Sequence, residues 1–218
     1  MPEFQLVIGN RKYSSWSMRG WLVMKLAGVD FTETQVRLYL PESPALLAEH
    51  SPSKEVPYLL HGDRGIWNSL AIAEYMAEQA PDDGIWPVDP GTRALARSVT
   101  AEMHAGFSAL RRLFPMDMTQ HHEGLLPGEA EQRDVTRIDA LWGECLTSSG
   151  GPFLFGAWSV AYCFYAPVVS RFETYGFALS AEAAAYTDQV KAHAHYAEWF
   201  AGAQAEPWEI PLETLVGP

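Results

Sequence analysis

The stretch FQLVIGNRKYSSWSMRGWLVMKLAG, residues 4–28, passes from a strand to a helix across one short polar turn. Phe4–Ile8 is an apolar run closed by Gly9-Asn10, the pattern of a buried strand. Arg11 to Ser15 are polar, and from Trp16 to Ala27 the apolar residues recur at helical spacing. Ser14 or Ser15 supplies an N-cap, and Gly28 is placed to end the helix at C′.

Outward from this unit, Phe31 to Tyr39 alternates with enough β-branched residues for a second strand. Pro41 to His50 reads as a short helix or loop. Val56 to His61 and Gly65 to Trp67 read as two short strands around a turn at Gly62-Asp63. A helix from Ser69 to Gln79 places Leu70, Ile72, Ala73 and Met76 on one face. Ala80 to Gly84 ends it, and Trp86-Pro87-Val88-Asp89-Pro90 reads as a linker. Beyond the linker strand signals vanish, and helical patterns run over 91–113, 128–148, 159–175 and 181–201. The reading is therefore an α/β domain over 1–82 and an all-helical domain over 91–218. Cys145 to Ser170 carries no Asp, Glu, Lys or Arg, but Gly150, Gly151, Pro152 and Pro167 interrupt it. A membrane span needs about 20 mostly apolar residues, so a buried central helix is expected here.

Bulk composition excludes several function classes. Eight Trp and ten Phe argue for a packed core rather than disorder. The formal net charge of −12 repels phosphate backbones and anionic lipid, which disfavours nucleic-acid and membrane-surface roles. Cys145 and Cys163 form no CxxC or zinc-type spacing, so neither a disulfide scaffold nor a metal site is expected. The opening MPEFQLVIGN shows no export pattern, and the expected compartment is the cytoplasm. His104 and His121-His122 lack a third metal ligand at helix spacing. Phe107, Leu110, Phe114 and Met116 either line a hydrophobic pocket or pack between helices.

Four segments, in this order, resemble the glutathione transferase superfamily. They are Tyr13 to Arg19 between the first strand and first helix, Ser51 to Pro57, Ile66 to Ile72, and Gly151-Pro152-Phe153-Leu154-Phe155-Gly156 running on through Ser159 to Pro167. The resemblance implies a thioredoxin-like N-terminal domain, a helical-bundle C-terminal domain, glutathione as cosubstrate, no metal, and a homodimer. It also implies a serine at the first helix that activates the glutathione thiol.

The physical case for that serine is direct. The thiolate, not the thiol, is the nucleophile. A helix N-terminus offers free N–H groups and about half a positive charge, and a hydroxyl adds one more donor. Lowering a thiol pKa by one unit takes about 1.4 kcal/mol of differential stabilisation, within reach of one such bond plus the dipole. Ser14 and Ser15 are the candidates, with position relative to Trp21-Leu22 favouring Ser14; Tyr13 is the third. The alternative is that both serines only cap the helix. By the resemblance, Val56 before a cis Pro57 pairs with the ligand backbone as an added strand does. Ser69 at a helix start receives the γ-glutamyl carboxylate, Asn68 stands where relatives carry an acidic residue or Gln, and Lys54 pairs with the glycyl carboxylate. A second departure is Tyr162, three residues after Ser159, where relatives place the Asp of a capping box.

The leading expectation is a glutathione-dependent transferase acting on a small hydrophobic electrophile, in the manner of detoxification enzymes. Glutathione-dependent isomerases and peroxidases are the enzymatic alternatives. Asn68, without a charge, motivates a non-catalytic glutathione- or ligand-binding protein as the third.

Overall fold

A computed structural model describes residues 3–81 and 84–216. Strand β1 (Phe4–Ile8) leads through helix α1 (Ser15–Leu26) to β2 (Phe31–Gln35), which pairs parallel to β1 with Phe4 opposite Phe31. After α2 (Ser43–His50), β3 (Tyr58–His61) and β4 (Arg64–Trp67) form an antiparallel hairpin, and α3 (Ser69–Gln79) follows. The sheet order is β2-β1-β3-β4, with β1 antiparallel to β3. This is a thioredoxin-like domain. Phe4, Leu6 and Ile8 face the main core with α1 and α3, whereas Val7 joins Val36, Tyr58, Leu46 and Leu47 on the α2 side. Period-two alternation thus gives both faces of β1 an apolar partner.

The remainder is helical among the described residues. Helices α4 (Pro90–Ala105), α5 (Ser108–Leu113), α6 (Glu129–Ser149), α7 (Val160–Tyr175), α8 (Ala181–Ala192), α9 (Ala194–Ala205) and α10 (Leu212–Val216) follow in order. The charge-free stretch supplies α7, which is buried on every side except at Glu173 and packs against α1 and α4. A helix that is apolar all round belongs at the centre of a core. No helix among the described residues is long and apolar enough to cross a membrane.

Three expected elements change. The second strand stops at Gln35 rather than Tyr39, where the backbone turns left-handed at φ 63°. The pattern over 91–113 splits into α4 and α5 at Gly106-Phe107. Phe107 has φ 54°, and a Cβ on Gly106 would sit 2.6 Å from the Glu102 carbonyl oxygen. The pattern over 181–201 splits at His193, whose extended backbone ends α8 and starts α9. The expected linker is anchored at its start, where Ile85 and Trp86 are buried in the core, and is exposed from Val88 to Pro90. Ser159 makes no side-chain cap to α7. The Ile85 carbonyl accepts from Val160 N–H at 3.1 Å instead, so the residue before the linker satisfies a donor of the helix start. Tyr162 fills an aromatic cluster, edge-on to Phe153 and Trp158.

Candidate active site

The turn between β1 and α1 is built on Asn10, whose carbonyl accepts from Tyr13 N–H at 3.3 Å and Ser14 N–H at 2.8 Å. This delivers Ser14 to the N-cap of α1, where its Oγ accepts from Ser17 N–H at 3.3 Å. Ser14 Oγ donates to Ser17 Oγ at 2.8 Å, and Ser17 Oγ also accepts from Gly9 N–H at 2.9 Å. Ser15, one residue on, receives Arg171 Nη2 on its Oγ at 3.2 Å. Both serines are buried to 6% exposure, so water competes weakly for their hydroxyls.

Tyr13 is differently engaged. Its hydroxyl accepts from Ile210 N–H at 3.0 Å and donates to the Trp208 carbonyl at 3.4 Å. Burial, opposed by the Ile210 N–H, pushes its pKa up to about 12. Lys12 Nζ reaches Glu209 at 2.6 Å and the Trp208 carbonyl at 3.2 Å. The chain beyond α9 is therefore strapped across the β1–α1 turn, and it brings Leu215 to the cleft.

Opposite α1, the Val56-Pro57 bond is cis and leads directly into β3. Gly20 on α1 permits the close approach, because a Cβ there would meet Pro57 Cβ and Cγ at 2.8 Å. Lys54 sits on the preceding loop, exposed, with φ 58°. Asn68, at φ 75°, caps α3 through Oδ1 to Leu70 N–H at 3.0 Å, and its Nδ2 lies 3.4 Å from His104 Nε2. Ser69 is fully buried at the start of α3, and its Oγ has no partner among the described residues.

All eight residues singled out in the sequence (Tyr13, Ser14, Ser15, Lys54, Val56, Pro57, Asn68 and Ser69) line one cleft of about 480 Å³. Of the four apolar candidates only Met116 reaches it; Phe107, Leu110 and Phe114 pack in the core. The helical side contributes Trp16 of α1 together with Arg111 and Arg171, none of which the sequence reading included. Among the described residues no group of three His, Cys, Asp or Glu side chains is arranged to hold a metal. A cleft with a capped helix terminus, an extended strand edge beside a cis-proline and an orphaned buried hydroxyl is suited to a peptide-like anion.

Known proteins place this architecture. Residues 13–79 match the family model described as glutathione S-transferase, N-terminal domain. A glutathione transferase homolog from Burkholderia, solved with bound glutathione, superposes with a TM-score of 0.72 at 25% identity, over 93% of this chain and 99% of that one. This chain has the glutathione transferase fold. Among its relatives, a probable maleylacetoacetate isomerase of Caenorhabditis elegans is 32% identical over 132 residues, 60% of this chain and 61% of the relative. The rat maleylacetoacetate isomerase is 28% identical over 174 residues, 78% of each chain. Glutathione S-transferase U8 of Arabidopsis thaliana is 38% identical over 85 residues, 38% of each. The chain thus spans about three fifths of the first of these relatives and under two fifths of the plant one.

Proposed function

We propose that this chain is a glutathione-dependent transferase in which Ser14 at the start of α1 activates the thiol. The observation that carries the reading is the Ser14 hydroxyl, set at a helix N-terminus inside the cleft that also holds Val56-Pro57 and Ser69. The Ser14 hydroxyl donates to Ser17 Oγ at 2.8 Å, and Ser17 Oγ also accepts from Gly9 N–H. Rotation about the Ser14 Cβ–Oγ bond turns that proton to a bound thiolate, a charged acceptor that makes the stronger bond. Ser15 is the alternative donor: its Oγ accepts from Arg171, and its own proton has no acceptor among the described residues. The Tyr13 hydroxyl, engaged with Ile210 and Trp208, is assigned to holding the chain rather than to the sulfur. The Val56 backbone pairs with the cysteinyl unit, Ser69 takes the γ-glutamyl carboxylate and Lys54 the glycyl carboxylate. Asn68 is neutral and accepts from the ammonium. The thiolate then attacks an electrophile held against the helical wall.

Titration of glutathione by calorimetry, with the 240 nm absorbance of bound thiolate followed against pH, tests this in wild type, Ser14→Ala and Ser15→Ala. Ser14→Ala should raise the bound thiol pKa by about one unit, the equivalent of about 1.4 kcal/mol, with turnover at neutral pH falling about tenfold. A shift confined to Ser15→Ala transfers the role to Ser15, and absence of glutathione binding by wild type removes the reading. Glutathione-dependent isomerisation is the second reading, favoured by the isomerase names of two relatives. In that case glutathione is bound and a substrate is converted without being consumed with it.

A further inference from the structure

The helical wall of the cleft carries two guanidinium groups and no carboxylate, with a third guanidinium buried behind them. Arg111 of α5 and Arg171 of α7 line the cleft, and Arg19 of α1 lies behind; Arg19 and Arg111 stack on Trp16, and Arg171 reaches Ser15 beside it. Arg19 Cζ and Arg111 Cζ each lie 4.6 Å from the Trp16 ring centroid, and Arg19 Cζ lies 5.2 Å from that of Phe164. Among the described residues, none of the three takes part in an ion pair. Arg19 is fully buried, and Nε, Nη1 and Nη2 all lack an acceptor. Arg171 meets only neutral oxygens: Phe114 O at 2.9 Å, Pro167 O at 3.2 Å and Ser15 Oγ at 3.2 Å. Arg111 spends Nη1 on the carbonyls of His104 and Gly106, which leaves its Nε–Nη2 edge open among the described residues.

Packing does not account for this cluster. An unpaired buried ion carries a penalty of several kcal/mol even after relaxation, and Met or Leu would fill the same space without it. Burial first, then mutual repulsion, lowers the proton affinity of Arg19 and Arg171, the latter to about 10. In a chain with 27 acidic residues, none among the described residues is set against these three cations, so the positive field is directed at something outside the chain.

We propose that this wall is an anion subsite that reads a carboxylate on the second substrate, bound by Arg111 and Arg171 with Trp16 against its carbon skeleton and Arg19 behind. A planar guanidinium edge matches a carboxylate with two parallel hydrogen bonds, which fixes orientation as well as charge. Glutathione's own carboxylates are served on the opposite wall, by Lys54 and the α3 terminus. The inference rests on the glutathione reading only in calling this anion the second substrate. It narrows the electrophile from a merely hydrophobic one to one bearing a carboxylate.

The test is calorimetric titration of succinate and of its uncharged diamide into full-length protein, with and without saturating glutathione. Wild type, Arg111→Gln and Arg111→Lys are compared, with glutathione binding measured separately on each. The expected result is saturable succinate binding without binding of the diamide. Arg111→Gln should weaken it about tenfold, the worth of one charged hydrogen bond, and Arg111→Lys should restore part of that. Glutathione affinity should not change. Equal binding of succinate and diamide, an unchanged succinate affinity in Arg111→Gln, or succinate competing with glutathione would each overturn the proposal. If Arg111→Gln does not fold, the wild-type comparison of succinate with diamide still decides. Arg111-dependent succinate binding in a protein that ignores glutathione would leave the anion subsite standing and remove the transferase reading.

Discussion

Replacing Arg19 by Met should make the protein more stable. The guanidinium is at 0% exposure with no acceptor on any of its three nitrogens among the described residues, and Arg111 and Arg171 repel it. What holds it is the stacking on Trp16 and Phe164. Desolvated cation–π contacts contribute about 2 kcal/mol or more each. Against this stands a desolvation penalty of several kcal/mol, with no carboxylate to offset it. Methionine keeps a stem of similar length and replaces the cation–π contacts by sulfur–aromatic ones of about 0.3–1.5 kcal/mol. The balance favours Arg19→Met by about 1–3 kcal/mol, the range seen when buried ionic groups give way to apolar residues of like volume. For a chain of this size each kcal/mol moves Tm by about 2–4 °C, so a rise of roughly 2–12 °C is expected. Scanning calorimetry and urea unfolding on wild type, Arg19→Met and Arg19→Lys measure it. Lysine should be worse than either, because it keeps the charge and loses the planar stacking. Succinate affinity should fall in the methionine variant, the usual exchange of function for stability at a site. A loss of more than about 1 kcal/mol in Arg19→Met would mean that the cation is satisfied in solution, and the account of the wall as unpaired would be wrong.

Three further outcomes follow from contacts around the cleft. Tyr13→Phe should leave the bound thiol pKa unchanged while speeding proteolysis within 206–216, since the hydroxyl anchors Ile210 and Trp208; limited chymotrypsin digestion with mass spectrometry, following cleavage after Trp208 and Leu212, reads this, and a raised thiol pKa would return Tyr13 to the chemistry. Glu206→Ala should destabilise by about 2–3 kcal/mol. That buried carboxylate accepts from Arg11 N–H at 2.5 Å and Lys12 N–H at 3.1 Å and pairs with Gln35; urea midpoints check it. His104 has its pKa lowered from 6.5 by burial and then by Arg19 and Arg111. The unfolded state therefore takes up that proton first, so stability should hold above pH 6.5 and decline as pH falls from there towards the folded pKa. Urea midpoints across that range should decline less steeply for His104→Gln than for wild type, while His193, also lowered by burial and His195, keeps some slope.

The half of the cleft that was legible in the sequence is the half written in local backbone. Ser14 at a cap, Val56-Pro57 before a strand and Asn68-Ser69 before α3 each belong to a short segment whose own conformation fixes the residue types, so a reading along the chain finds them. The order β-α-β-loop-β-β-α was legible for the same reason. The breaks at Phe107 and His193 were not. Neither residue is glycine or proline, and the helical pattern over 91–113 runs straight through Gly106. The arginine wall was hidden for a different reason: its members lie 92 and 60 residues apart in the chain (111 − 19 and 171 − 111), and only the crossing of α1, α5 and α7 brings them together. Two traces of it were nonetheless present. Arg19 falls three residues after Trp16, on the same face of α1, amid Met18, Trp21 and Leu22, where a cation has no solvent to reach. Arg171 is the first charge after the 26 uncharged residues from Cys145 to Ser170. A charge embedded in sequence that otherwise reads as core is either paired or purposeful. Among the described residues no acidic side chain pairs with either arginine, which leaves purpose as the better account.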